Sequence, residues 1–254
     1  MVQLGGHCIY LAGAEVGLGQ RESVGDVARV LSGYTDCIAA RTFSHQTLEE
    51  FARCSRVPVI NALDDVEHPC QALADLMTIY EKKGGIEGLT LAFIGDGNNV
   101  AHSLLLAAAL CGMDFKIASP ADYSVDGKIL QMAREYADES GGSIVCSEDP
   151  REAVDQADIV YTDVWTSMGQ ESETEKRRQA FNGYQVNSEL LSLANADAIF
   201  MHDLPAHRGE EVTDEIMDGP QSVVFEQSEN KMHLLKALLM EIVGGLEMPL
   251  PDYR

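Results

Sequence analysis

Short apolar runs alternate with segments of helical periodicity along this chain, and that alternation limits the possible folds more than any other feature. In the first third, strands are predicted at His7–Leu11, Cys37–Ala40 and Val57–Asn61, with helices at Val24–Leu31 and Gln46–Cys54 between them. Parallel strands need long crossover connections, which are usually helices. The β-α-β order therefore predicts an α/β fold with a parallel sheet.

A long helix is predicted at Pro69–Lys83, because Pro suits the first helical position and Gly84-Gly85 a helix end. The same alternation restarts beyond it. Strands are predicted at Thr90–Ile94, Phe115–Ala118, Ser143–Cys146, Ile159–Thr162, Ala198–Met201 and Ser222–Phe225, and a last helix at Glu229–Val243. A chain of 254 residues is long enough for two such units. We predict an α/β protein with two domains, each a parallel sheet flanked by helices, joined by a long helix.

The composition excludes several classes of function. With 18 Lys and Arg against 41 Asp and Glu, the net charge is −23, which repels a polyanion and argues against nucleic acid as a partner. No apolar run reaches the ~18–20 residues of a membrane span, so we expect no membrane partner. The acidity fits either an ordinary acidic cytoplasmic protein or one adapted to high salt.

The cysteines and histidines predict neither disulfides nor a metal. The six cysteines include no Cys-x-x-Cys pair, and most lie in apolar stretches, where buried free thiols are common. We expect a reduced, cytoplasmic protein. His and carboxylate residues show no convincing metal-ligand spacing, so no metal is predicted.

Polar residues follow several predicted strands, where open α/β sheets bind their ligands. These candidates are Arg41, the Gly95-Asp96-Gly97-Asn98-Asn99 loop, Asp163 and His202, and we add His68-Pro69-Cys70-Gln71 at the start of the long helix.

Each candidate also has a simpler structural interpretation. The glycine loop fails the G-x-G-x-x-G pattern at Val100, so it favours a tight turn with Asn98 or Asn99 facing the crevice over a dinucleotide site. His68 is either a satisfied structural group or part of an anion site. Asp163 is either a helix cap or a partner for an ammonium group, and His202 either a core residue or a ligand. The charged run 171–178 is most simply a solvated face.

Taken together and in order, these pieces resemble the ornithine carbamoyltransferase family over essentially the whole chain. The matching segments are Gln3-Leu4-Gly5-Gly6-His7, Asp26-Val27-Ala28-Arg29-Val30-Leu31, Ala40-Arg41-Thr42-Phe43, His68-Pro69-Cys70-Gln71, Gly95–Val100, Asp163-Val164-Trp165-Thr166-Ser167-Met168-Gly169-Gln170 and Glu210-Glu211-Val212. Each segment alone is weak, whereas the combination is highly specific.

The resemblance implies an activity and a set of partners. It implies attack of the ornithine side-chain amine on carbamoyl phosphate, giving citrulline and phosphate, with no metal or organic cofactor and a homotrimer or higher oligomer. It also implies a partial carbamoyl phosphate domain at residues 1–80, completed by a C-terminal helix at 229–254, and an ornithine domain at 81–228.

The resemblance also assigns roles to individual residues. Ornithine would be bound by Asn99, Asp163, Ser167 and Met168. Carbamoyl phosphate would be bound by Arg41, His68, Gln71, Asp203, Leu204 and Lys231, of which Arg41, His68, Asp203 and Lys231 form the catalytic set. The segment Ser167–Gly183 resembles the loop that closes over ornithine.

The departures from the family pattern fall on the carbamoyl phosphate side. The family's Ser-Thr-Arg-Thr-Arg phosphate loop would precede Gln3, so we expect the chain to be truncated relative to the family. The family's His-Cys-Leu-Pro is His202-Asp203-Leu204-Pro205 here, Lys231 replaces an arginine, and Gly17 stands at a glutamine position. Two alternatives therefore stay open: a non-catalytic paralogue that binds an amino acid or pairs with a full-length subunit, and a carbamoyltransferase that uses a different acyl donor.

Overall fold

The computed structural model describes residues 1–19, 21–167 and 169–245, and its helices and strands alternate as the sequence predicts. The α-helices are α1 (Gly13–Val16), α2 (Val24–Leu31), α3 (His45–Cys54), α4 (Pro69–Lys83), α5 (Asn99–Leu110), α6 (Gly127–Ser140), α7 (Pro150–Val154), α8 (Thr174–Ala180), α9 (Ser188–Leu191), α10 (Asp214–Met217) and α11 (Val224–Gly244). The strands are β1 (Ile38–Arg41), β2 (Val59–Leu63), β3 (Thr90–Ile94), β4 (Asp114–Ala118), β5 (Ile144–Ser147), β6 (Ile159–Thr162) and β7 (Ile199–His202). The predicted α/β class with parallel sheets is confirmed.

The chain divides into two compact units. The smaller holds Met1–Val66 and the described residues from Met232 onwards, and the larger holds Glu67–Lys231. Helix α4 lies within the larger unit, and α11 begins there. No described helix is long and apolar enough to cross a membrane.

In the smaller unit, β1 and β2 form a parallel pair. Helix α2 begins where Ser23, its N-cap residue, accepts a hydrogen bond at Oγ from the backbone N–H of Asp26. Its apolar face contributes Val27 and Ala28 to a small core with Ile38 and Phe51. This core holds β1, and with it Arg41, in place.

The larger unit is built on a five-stranded parallel sheet in the order β5-β4-β3-β6-β7. Strands β4 and β5 lie on one side of β3, and the chain then crosses back so that β6 and β7 lie on the other side. The crevice beside such a reversal is where open α/β sheets bind ligands. In this unit the reversal lies between β3 and β6, whose carboxyl ends lead to Gly95 and Asp163.

Two predicted strands are wrong. The segment His7–Leu11 has no regular structure, and Ile9 and Tyr10 are 67% and 86% exposed, so its apolar run is not buried against a sheet. In Ser222–Phe225, the N–H of Val223 donates to the carbonyl of Phe200 (3.0 Å), but the backbone enters α11 at Val224. A single β-bridge between Phe200 and Ser222 forms there instead of a strand.

The cysteine prediction is correct in one part and wrong in another. All six cysteines are free, but only Cys70 is buried, whereas Cys8 and Cys146 are exposed. Apolar neighbours in sequence did not predict burial, because Cys8 lies in the irregular segment and Cys146 on the edge strand β5.

Candidate active site

Two carboxylates stand side by side at the ends of neighbouring strands. In the register of β6 and β7, Thr162 pairs with His202, so the next residues, Asp163 and Asp203, leave the sheet together. One side-chain atom from each of Asp163, His202 and Asp203 lies within 4.8 Å of the others. The strand order therefore brings together the predicted ornithine residue Asp163 and the residue that departs from the family pattern, Asp203.

The glycine loop positions Asn98 against Asp163. A Cβ on Gly97 would lie 2.3 Å from the backbone nitrogen of Val125, so only glycine allows this close approach. Asn98 then caps α5, with Oδ1 accepting from the N–H groups of Val100 and Ala101 at 3.0 and 3.1 Å. Its Nδ2 donates to Asp163 Oδ2 (2.7 Å).

Asp163 and Asp203 influence each other's protonation. Burial raises the pKa of Asp163 well above its usual range, and the charge of Asp203 adds to the rise. Burial alone would raise the pKa of Asp203 too, but its contacts with His202 and Asp163 and the charge of Lys231 hold that pKa below its usual value. Because ionising both neighbouring carboxyls costs electrostatic repulsion, Asp163 and Asp203 share one proton.

His202 is fully buried, and both of its ring nitrogens have partners. Burial lowers its pKa, whereas its contacts with Asp203 and Glu211 raise it. The backbone N–H of Leu204, however, points at Nδ1 (2.9 Å), which needs an unprotonated nitrogen there. We therefore assign the neutral ring, with the Nε2 proton directed to Glu211 Oε1 (3.2 Å).

This assignment bears on metal binding. Three atoms within 4.8 Å of one another would suit a metal ion, yet His202 would have to give up a hydrogen bond to become a ligand. Asp163 and Asp203 offer oxygens only. The absence of a metal stays a prediction.

The segment from His202 to Pro205 is held by hydrogen bonds along its backbone. The N–H of His202 donates to Gln227 Oε1 (2.9 Å), and the carbonyl of Asp203 accepts from Lys231 Nζ (2.7 Å). Leu204 has φ 59°, and its peptide bond to Pro205 is cis. Lys231 thus contacts the backbone of Asp203.

His68 and Gln71 lie at the start of α4. His68 is the N-cap residue, Pro69 the first helical residue, and the N–H of His68 donates to Ser103 Oγ (2.8 Å). Gln71 is 1% exposed, and its Nε2 donates to Asp75 Oδ1 (2.7 Å). Both predicted residues therefore lie in the larger unit, in the turn that opens a helix.

The segment after Asp163 is tied to the glycine loop by Arg177. Its Nη1 lies 2.6 Å from Asp96 Oδ2 and 3.0 Å from the carbonyl of Trp165, and its guanidinium stacks over the Tyr123 ring at 4.7 Å. The prediction that 171–178 is a solvated face is therefore wrong for Arg177, which is 6% exposed.

The remaining predicted residues are placed as follows. The N–H of Ser167 donates to Gln170 Oε1 (3.2 Å), and Asn99 begins α5. Met168 lies outside the described residues. Arg41 is exposed at the end of β1 in the smaller unit.

Sequence reasoning did not name three buried polar residues as candidates for this region: Asp75, Gln227 and Glu211, of which Glu211 appeared only within a segment that resembles the family. A signal for the first was available, since Asp75 follows Gln71 by four residues and so lies one turn further along the same helix face. Gln227 and Glu211 carried no such signal, because their partners are distant in sequence.

The comparisons with known proteins agree with this geometry. Residues 1–81 match the family described as "Aspartate/ornithine carbamoyltransferase, carbamoyl-P binding domain", and residues 87–242 match "Aspartate/ornithine carbamoyltransferase, Asp/Orn binding domain". The chain is 51% identical over 247 residues to "Ornithine carbamoyltransferase, anabolic" of Pyrococcus furiosus, covering 97% of this chain and 78% of that protein. It is 53% identical over 243 residues to ornithine carbamoyltransferase of Bacillus subtilis, covering 96% and 76%.

Solved structures agree as well. The ornithine carbamoyltransferase from Pyrococcus furiosus superposes with a TM-score of 0.94 at 51% identity, covering 97% of this chain and 79% of that one. The anabolic enzyme of Campylobacter jejuni gives 0.91 at 40% identity, covering 96% and 81%. Similarity in sequence and in fold thus extends over both family segments, and the chain belongs to the aspartate/ornithine carbamoyltransferase family, in its ornithine carbamoyltransferase branch.

Proposed function

We propose that this protein transfers the carbamoyl group of carbamoyl phosphate to the side-chain amine of ornithine, giving citrulline and phosphate. The amine nitrogen forms a bond to the carbonyl carbon, and the bond from that carbon to the phosphate oxygen breaks. The ammonium form of ornithine gives up two protons in all, of which the phosphate product takes one and the other is released. The residues must therefore bind two reactants, accept a proton and stabilise the charge on the carbonyl oxygen.

The observation that carries ornithine as the acceptor is the Asp163 and Asp203 pair. Two neighbouring carboxyls attract an ammonium group and repel a carboxylate. An aspartate acceptor would bring a side-chain carboxylate into the same region, so the pair favours a basic amino acid. Asn98 supports this choice, because its amide holds one oxygen of Asp163 and leaves the carboxyl oriented.

The remaining roles follow the resemblance. Asn99, Ser167 and Met168 complete the ornithine site with Asp163. Carbamoyl phosphate binds at Arg41, His68, Gln71, Leu204 and Lys231, beside Asp203. Arg41 and His68 polarise the carbonyl, and Lys231 adds positive charge near Asp203.

We also assign a domain to each substrate. Residues 1–80, completed by the C-terminal segment 229–254, bind carbamoyl phosphate, and residues 81–228 bind ornithine; the two family matches support this division. Residues 246–254 of that segment lie outside the described residues. The protein works in the cytoplasm, which its six free cysteines favour. It assembles as a homotrimer or a higher oligomer.

Citrulline formation tests the proposal directly. The chain is incubated with carbamoyl phosphate and either ornithine or aspartate, and the carbamoylated amino acid is quantified. Citrulline is expected from ornithine, and no carbamoyl aspartate from aspartate. Asp163→Asn should abolish citrulline formation, whereas Asp122→Asn, at an exposed site, should leave it unchanged.

Calorimetry with ornithine separates the alternatives. Binding of ornithine without turnover would favour the non-catalytic paralogue. Carbamoylation of aspartate in preference to ornithine would contradict the argument from the carboxylate pair.

A further inference from the structure

Asp75 is a fully buried carboxylate on α4 that accepts hydrogen bonds from three side chains. Its Oδ1 accepts from Gln71 Nε2 and from Gln227 Nε2, both at 2.7 Å, and its Oδ2 accepts from the hydroxyl of Tyr161 at 3.1 Å. All four side chains are at most 1% exposed. An ionised carboxylate only accepts, so each of the three partners must present a donor to it.

This requirement orients the side-chain amide of Gln71. With Nε2 committed to Asp75, the opposite atom, Oε1, is left as an acceptor. Gln71 Oε1 is buried and has no hydrogen-bond partner among the described residues. A buried acceptor without a partner is costly, so such an atom is a candidate to receive an N–H group from a bound molecule.

The same carboxylate orients a second amide, that of Gln227. Its Nε2 faces Asp75 and also donates to the Tyr161 hydroxyl (3.1 Å), which leaves Oε1 to accept the N–H of His202. His202 in turn accepts the N–H of Leu204. Asp75 is therefore linked through two hydrogen bonds to the backbone of the segment that contains Asp203 and Leu204.

We propose that Asp75 is a positioning residue for the carbamoyl group: it turns Gln71 so that Oε1 accepts an N–H of that group, and it holds the His202–Pro205 segment through Gln227. The inference rests on the proposed function and adds a basis for specificity to it. Carbamoyl phosphate carries an NH₂ group where acetyl phosphate carries a methyl group, and only the NH₂ group can donate to Gln71 Oε1. Asp75 thus sets the preference for the carbamoyl over the acetyl compound.

Calorimetric titration of the full chain with each compound at pH 8 measures this preference. Both compounds share the phosphate, so the ratio of their dissociation constants isolates the contribution of the NH₂ group. We expect the wild-type protein to bind carbamoyl phosphate at least about tenfold more tightly than acetyl phosphate, as one well-placed buried hydrogen bond would give. In Asp75→Leu, which is similar in size and has no acceptor, the ratio should fall close to one, because nothing then holds Gln71 Nε2 and the amide can turn around.

Thr78→Val is the matched control. Thr78 is buried on the same helix, where its hydroxyl donates to the carbonyl of Ala74 (2.8 Å) and accepts from Asn230 Nδ2 (3.0 Å), without contact to the Asp75 network. Its loss should lower the melting temperature and leave the ratio unchanged. This separates a positioning role from a general loss of stability.

A double variant tests whether Asp75 acts through Gln71. Gln71→Leu should lose the preference, and adding Asp75→Leu should cause no further loss in the ratio. If Asp75→Leu does not fold, Asp75→Ser, which removes the charge and is too short to reach both amides, is expected to show the same fall.

Each outcome decides the inference. A wild-type preference that persists in Asp75→Leu overturns it, and so does a wild-type protein that binds both compounds equally; in both cases the proposed function stands. A wild-type protein that binds neither compound contradicts the proposed function and removes the inference with it.

Discussion

Arg177 Nη1 lies 2.6 Å from Asp96 Oδ2, and both side chains are more than nine-tenths buried. The pair joins α8 to the glycine loop that carries Asn98. Removing one partner of a buried ion pair leaves the other charge without compensation, which typically costs about 3–5 kcal/mol. Arg177→Met should therefore lower the free energy of unfolding by about that amount, as measured by urea denaturation.

The neighbouring arginine is the control for this variant. Arg178 pairs with Glu210 on the surface, with half of its side chain exposed. Because exposed pairs contribute little, Arg178→Met should change stability by at most about 1 kcal/mol. Equal losses in the two variants would contradict a special role for the buried pair. The loss in Arg177→Met should grow with pH, because burial raises the pKa of Asp96 and the unpaired carboxyl can take up a proton at low pH.

Asp203→Asn should shift the pH dependence of ornithine binding. Asp163 must be ionised to pair with an ammonium group, and both burial and Asp203 raise its pKa. Wild-type affinity should therefore rise with pH through the pKa of Asp163. Removing the charge of Asp203 lowers that pKa, so the rise should occur at lower pH.

Calorimetry with ornithine between pH 5 and 9 measures this shift. At pH 9 the variant should also bind more weakly than the wild type, because one of two carboxylates is gone. Asp122→Asn, which removes an exposed carboxylate, should reproduce the wild-type profile. An unchanged profile in Asp203→Asn would mean that the two carboxyls do not interact.

Asp75→Asn should change how stability depends on pH. Burial raises the pKa of Asp75 to about 7, with Asp203 and Tyr161 as its titratable neighbours. Between its ordinary pKa of 3.8 and about 7, the folded wild-type protein binds more protons than the unfolded one, so its stability falls as pH rises. The variant lacks this contribution.

The wild-type minus variant difference in unfolding free energy should therefore decrease from pH 4 to pH 7, by up to about 4 kcal/mol, and then level off. Urea denaturation of both proteins across this range gives the difference directly, and contributions from the other carboxylates largely cancel. A difference that is independent of pH would show that Asp75 has the same pKa in the folded and the unfolded protein.

Gly97→Ala should disrupt the loop that positions Asn98. Its Cβ would meet the backbone of Ser124 and Val125 at 2.3 to 2.8 Å, where no flexible side chain can yield. Forcing the extra methyl group into this space should cost about 1–3 kcal/mol or more and weaken ornithine binding. Gly127→Ala is the control, because its Cβ meets nothing within 4 Å at the first residue of α6. That variant should be neutral or slightly stabilising, and a similar loss there would contradict the steric argument.

Local patterns predicted most of the fold, and long-range contacts explain the errors. The bounds of α2, α4, β3 and β6 agree with prediction, because caps, glycine stops and β-branched runs are properties of the local sequence. The segment His7–Leu11 carried the same apolar signal as a strand, but no sheet covers it. Whether an apolar run is buried depends on its neighbours in space, which its own pattern does not contain.

The site shows the same division. Asp163 and His68 were predicted as site residues because they follow a strand or open a helix. Asp75 and Gln227 are joined by a hydrogen bond across 152 positions, and Arg177 lies between the exposed residues Lys176 and Arg178. Such residues become visible only when strand order and helix packing are known.

His202 has a consequence for the interpretation of mutagenesis. A histidine beside two aspartates would ordinarily be taken for a general base, yet here the imidazole bridges the backbone of Leu204 and the carboxylate of Glu211. Loss of activity on replacing it would therefore report a displaced backbone, and added imidazole should not rescue it. The proton acceptor for the reaction has to be sought among the carboxylates. His202 itself has a structural role, because it holds the backbone at Leu204 against Glu211.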